Sequence, residues 1–167
     1  MRSRAKLIVL VATAAIAALA GLAAVPRAAH PEAGFVALTG GNVSLRELRG
    51  HVVLVNFWAT SCAPCLEEMP KLTAAWRDYA PRGLEMVAVA MRYDSPNAVA
   101  DYARKQALPF RVALDTDGAV ARAFGHVAVT PTTYLLDRSG RILATYVGEP
   151  QWRQFRAQIE RALDGGA

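Results

Sequence analysis

An α/β domain with a mixed central β-sheet and helices on both faces is the fold class predicted by three features of the 167-residue sequence. Two near-continuous apolar runs of strand length, residues 52–57 (VVLVNF) and 84–90 (LEMVAVA), have the pattern of strands buried on both faces. Between them Leu66, Met69, Thr73, Trp76 and Ala80 recur at helical spacing. Towards the C-terminus two further strands flank the turn Asp137-Arg138-Ser139-Gly140, and an amphipathic helix follows.

The elements follow in order. Arg2, Arg4 and Lys6 precede an uncharged run of nineteen residues, 7–25, followed by Pro26 and Arg27. That length is close to the ~20 residues that span a bilayer and exceeds the ~7 to 15 of a signal-peptide core. The basic flank predicts that the N-terminus stays in the cytoplasm while the rest is exported. An uncleaved anchor is expected; a removed signal ending near Ala18-Leu19-Ala20 is the alternative. Residues 1–33 thus read as anchor and short linker, and 34–167 as one domain large enough for a real core. Residues 35–38 and 42–45 read as a hairpin around Gly40-Gly41. Gly83 closes the first helix, and Asp94 or Ser95 caps a second one with Pro96 in its first turn and an apolar stripe of Val99, Ala103 and Ala107. Residues 108–114 form a short strand, 118–124 a short helix, 134–136 and 141–147 the closing strands, and 149–163 the last helix, with Trp152, Phe155, Ile159 and Leu163 on one face.

Composition excludes several classes. Arg2, Arg4, Lys6 and Arg27 supply four of the nineteen cationic residues, and no acidic residue precedes Glu32, so the exported part carries 15 basic against 14 acidic residues. That balance is no nucleic-acid footprint. His30, His51 and His126 are scattered singly, and His51 at a strand edge reads as a surface residue.

The only two cysteines, Cys62 and Cys65, bracket Ala63 and Pro64 where a buried strand gives way to a helix. A helix start offers unpaired N–H groups and the positive end of the macrodipole, which stabilise a thiolate. A free thiol titrating near ~8.5 can be lowered there by one to several units, giving the form that attacks disulfides. Pro64 is compatible with a first helical turn. The expected chemistry has Cys62, nearer the solvent, attack a substrate disulfide and Cys65, one turn deeper, resolve the mixed disulfide. A zinc site would want about four ligands, and a bridge closing so short a loop would stabilise little. Glu68, three residues after Cys65, has two readings: proton handling for that cysteine, or charge complementarity with the helix start shared with Glu67.

With these residues the chain resembles the thioredoxin superfamily and, within it, the TlpA- and ResA-like membrane-anchored thiol-disulfide oxidoreductases. Trp58 and Ala59 match the aromatic-small pair before the motif, Cys62 and Cys65 the attacking and resolving cysteines, and Pro70 the proline that kinks the active-site helix. Asn56 stands where thioredoxin carries a buried aspartate, and Glu68 matches the glutamate of ResA-like proteins. Ser61 departs from the tryptophan common before the first cysteine. The resemblance implies a thioredoxin-like fold with a TlpA-type insertion and an N-terminal hairpin. It implies that Pro131 is a cis-proline facing the cysteines, that Thr130 sits against Cys62, and that Trp58, Pro64, Thr130 and Pro131 meet the substrate.

The function so implied is that of a periplasm-facing, inner-membrane-anchored reductase of protein disulfides, with no cofactor beyond the redox-active pair. Its substrates would be disulfide-bearing exported proteins, such as apocytochrome c before haem attachment. Electrons would come from a membrane thiol transporter of the DsbD or CcdA kind, and the chain would act as a monomer. The alternatives are a peroxiredoxin-like peroxide reductase and a thioredoxin-like copper-delivery protein. The second would want CxxxC and a nearby histidine, for which His126 is poorly placed.

Overall fold

The computed structural model describes residues 31–165. The expected membrane segment 7–25 and His30 lie outside the described residues. Among the described residues no helix is long and apolar enough to cross a membrane.

Seven strands form one mixed sheet: β1 (Gly34–Ala37), β2 (Asn42–Ser44), β3 (Val52–Trp58), β4 (Leu84–Ala90), β5 (Arg111–Leu114), β6 (Thr132–Leu136) and β7 (Ile142–Val147). Their spatial order is β2-β1-β5-β4-β3-β6-β7. Strands β3, β4 and β5 are parallel, and the remaining pairings are antiparallel. The parallel pairs need crossovers, which α1 (Ala63–Tyr79) and α2 (Pro96–Lys105) supply. The short α3 (Ala119–Ala123) precedes β6, and α4 (Trp152–Leu163) closes the chain.

Every residue of β3 is buried. The alternation of a strand sends Val52, Leu54 and Trp58 to the face covered by Met69 and Leu72 of α1 and by Phe155 and Ile159 of α4. Val53, Val55 and Phe57 go to the opposite face, against Phe35, Val89, Phe124 and Leu136. Each such side chain contributes roughly 1.5–3 kcal/mol of burial free energy. Asn56 interrupts the first row, placing a polar amide under α1. The two faces are unequally clothed: among the described helices only α3 covers the second, together with the hairpin and the residues after it, Leu45 and Leu48.

Several expectations are corrected. The buried stripe of α1 runs through Cys65, Glu68, Met69, Leu72, Thr73, Ala75 and Tyr79: of the expected positions Met69 and Thr73 are buried, whereas Leu66, Trp76 and Ala80 lie at its edge and are only half-buried. Pro70 lies inside the active-site helix, where the resemblance places it. Of the two candidate caps of α2, Ser95 is the N-cap, without a side-chain bond, and Asp94 is engaged elsewhere. Ala107 falls beyond the helix with φ +46° and is exposed, because α2 ends at Lys105. Strand β5 begins at Arg111 and helix α4 at Trp152, each three residues later than the sequence suggested. At the end of the expected linker Pro31 is buried, and Leu45 N–H donates to the Ala33 carbonyl at 3.0 Å.

Candidate active site

Strand β3 delivers the chain to the cysteines, and the loop is held from both sides. On one side Met91 N–H donates to the Trp58 carbonyl at 3.0 Å. The Asp94 carboxylate then accepts from Thr60 N–H and from the Thr60 hydroxyl, both at 2.6 Å. This is where Asp94 acts, two residues before Cys62 in the register of the loop it grips. On the other side Phe57 pairs with Thr132, so the Thr130–Pro131 peptide lies next to the point where β3 ends. That peptide is cis.

Cys62 is the N-cap of α1, with extended φ −94° and ψ +97°. Its Sγ accepts the Cys65 backbone N–H at 3.3 Å, so the sulfur does the work of a capping oxygen. The two cysteines are joined, with S–S 2.07 Å and Cα–Cα 5.2 Å. Cys62 is half-buried, Cys65 is 1% exposed, and Ala63 and Pro64 between them are exposed. The oxidised pair thus presents one sulfur outward and keeps the other against the core.

Behind Cys65 lies a polar cluster inside an apolar layer. Asn56 and Thr133 are direct cross-strand partners on β3 and β6. Asn56 Nδ2 donates to Thr133 Oγ1 at 2.9 Å and to Glu68 Oε1 at 3.1 Å, and the Thr133 hydroxyl reaches the same Oε1 at 3.4 Å. Glu68 is 1% exposed. Burial drives its pKa up from 4.5 to about 7, partly offset by the Thr133 hydroxyl, with smaller opposing effects from Glu149 and Lys71. The remaining acceptors, Asn56 Oδ1 and Glu68 Oε2, have no donor among the described residues. A carboxyl so placed changes charge near neutrality and lies one helical turn from Cys65. Charge complementarity with the helix start does not describe it: among the residues of the first turn of α1 none is acidic, and Glu68 points inward.

The other sequence-derived positions divide. Pro64 is exposed, Thr130 half-buried and Pro131 buried. The Pro131 carbonyl accepts Gly148 N–H at 2.8 Å, whereas no hydrogen bond among the described residues engages the Thr130 backbone. Trp58 is corrected: it is fully buried, its ring 5.2 Å from that of Tyr102, and it offers no surface to a docked substrate. Thr133 and the latch role of Asp94 went unrecognised in the sequence. For Thr133 the signal was the alternation of TTYLL, which puts it on the same face as Leu135 and opposite Asn56.

A CxxC disulfide at a helix start, one cysteine half-buried and the other buried, on a mixed sheet of this order and with a cis-proline loop beside it, defines a thiol-disulfide oxidoreductase of thioredoxin-like fold. The chain belongs to the Redoxin family, whose model matches residues 24–163. It is 31% identical over 126 residues to the thiol-disulfide oxidoreductase ResA of Bacillus thuringiensis subsp. konkukian, covering 75% of this chain and 69% of that one. It is 32% identical over 123 residues to ResA of Geobacillus thermodenitrificans, covering 74% and 70%. Among solved structures it is similar to a thiol:disulfide interchange protein of the thioredoxin family from Chlorobium tepidum, with TM-score 0.75, 28% identity, and coverage of 84% of this chain and 99% of that one.

Proposed function

We propose that the chain reduces disulfides of exported proteins from a membrane-tethered position facing the periplasm, with apocytochrome c as a substrate and a membrane thiol transporter as electron donor. The observation that carries this reading is the Cys65 N–H aimed at Cys62 Sγ, at a helix start, with Glu68 one turn behind. The basic residues Arg2, Arg4 and Lys6 before the apolar run support the tether.

In the reduced protein the Cys62 thiolate attacks one sulfur of a client disulfide. A Cys62–client disulfide forms, and the other client sulfur leaves as thiolate and takes a proton from solvent. Cys65 then gives its proton to the Glu68 carboxylate and attacks Cys62 Sγ. The Cys62–Cys65 bond seen in the structure forms and the second client thiolate departs, taking up a proton. Two electrons pass from the protein to the client; of the two protons the client thiols take up, one comes from solvent and the other replaces the one Cys65 gave to Glu68, and the donor's dithiol restores the pair by the reverse exchange. Since Glu68 titrates at about 7, resolution should accelerate as pH rises through that value.

A Cys65→Ser variant tests this. It should accumulate disulfide-linked adducts in the compartment that receives the domain, apocytochrome c among them, and Glu68→Gln should flatten the pH dependence of resolution. Absence of any adduct, with failure of the purified protein to reduce insulin, would refute the reading. Adducts only with unrelated exported proteins would replace apocytochrome c by a broader client set.

A further inference from the structure

Asn56 is the one hydrophilic side chain of the fully buried strand β3, and Thr133 opposes it on β6. Both are 1% exposed, as is Glu68. An ionised carboxylate only accepts, so the amide turns Nδ2 towards it and directs that group's two protons to Glu68 Oε1 and Thr133 Oγ1. The Thr133 hydroxyl, which accepts from the amide, gives its own proton to the same Oε1. Oε1 is therefore held by two donors, one from each of two neighbouring strands, while Oε2 has none among the described residues.

A cluster that served stability alone would leave no polar atom unmet in so dry a place. Here Asn56 Oδ1 also lacks a donor among the described residues, so the amide satisfies the carboxylate and not itself. The two carboxylate oxygens consequently differ. A proton on Oε1 would have to displace one of its donors, whereas a proton on Oε2 displaces nothing. The charged groups that act on Glu68 are Lys71, three residues further along α1, and Glu149 after β7. They pair with each other and their effects on Glu68 oppose, which leaves Asn56 and Thr133 to distinguish its two oxygens.

We propose that Asn56 and Thr133 are positioning residues for the resolving step, filling Glu68 Oε1 and reserving Oε2 as the oxygen that receives the Cys65 proton. The thiol proton passes to Oε2, the Cys65 thiolate attacks Cys62 Sγ, and the client sulfur leaves with the electron pair of the broken disulfide. This rests on the reading of Glu68 as the proton acceptor of Cys65. Donors to a carboxylate favour its ionised form, so losing one raises the pH at which Glu68 gives up its proton. The test follows two midpoints in each variant: that of the Glu68 carboxyl carbon, by NMR titration of the oxidised protein, and that of the pH profile of peptide-disulfide reduction by the reduced protein. Asn56→Leu, which removes the 3.1 Å donor, should move both upward by about one pH unit and slow reduction at pH 7 about fivefold. Thr133→Val, which removes the longer 3.4 Å bond, should move both by about half a pH unit, and Thr133→Ser, which keeps the hydroxyl, should retain the wild-type midpoints. A carboxyl midpoint unmoved in folded Asn56→Leu and Thr133→Val would overturn the proposal and leave Glu68 as proton acceptor. A carboxyl midpoint that moves while the rate profile stays would overturn it by removing Glu68 from the reaction, with the reductase reading intact.

Discussion

Replacing Glu68 by glutamine should stabilise the oxidised protein at alkaline pH and leave it nearly unchanged in acid. The carboxyl is 1% exposed, and its ordinary value of 4.5 is raised to about 7. Below pH 4.5 it is protonated whether the chain is folded or not, and it contributes no pH dependence. Between 4.5 and about 7 the unfolded chain loses that proton while the folded one holds it, so stability falls as pH rises. At roughly 1.4 kcal/mol per pKa unit the loss reaches about 3 kcal/mol above pH 8. Glutamine carries no charge to desolvate, and its amide replaces Oε2, which has no donor among the described residues, with a group able to donate. Urea unfolding of both proteins from pH 4 to 8.5 measures the difference, in which the other carboxylates cancel. A difference that does not change with pH, or that favours the wild type at pH 8, would refute the assignment of burial as the cause.

Two further outcomes follow from the packing around the cysteines. Asp94→Ala removes the acceptor of two 2.6 Å bonds from Thr60, and should cost about 1–3 kcal/mol in urea unfolding and abolish hydrogen-exchange protection of the Thr60 amide. Trp58→Ala should cost about 3–5 kcal/mol by the same unfolding measurement, the penalty of a large core cavity, since the ring is wholly inside against Tyr102.

What the sequence disclosed depended on how local the physical cause was. Strand β3 was legible because burial on both faces leaves a run with one polar position, and the cysteines were legible because a strand end and a helix start adjoin in sequence. The docking of the hairpin through Val36 opposite Leu114 was not, since pairing between residues so far apart leaves no local pattern. The burial of Glu68 was hidden by its neighbour: Glu67 and Glu68 are chemically alike, and only the phase of α1 turns one outward and the other under the sheet-facing side. Asp94 looked like a helix cap because capping needs a short acceptor side chain before Pro96, and the same side chain serves equally to hold a distant loop. Asn56 was the visible trace of the buried cluster, although its partner Thr133 became identifiable only once strand register was known.

The Cys65 amide points at Cys62 Sγ while the two sulfurs are still bonded to each other. A negative charge formed on Cys62 Sγ on reduction would meet a backbone donor already aimed at it. That donor belongs to the first turn of α1, so the helix start serves the sulfur in the bonded form without a side-chain cap of its own.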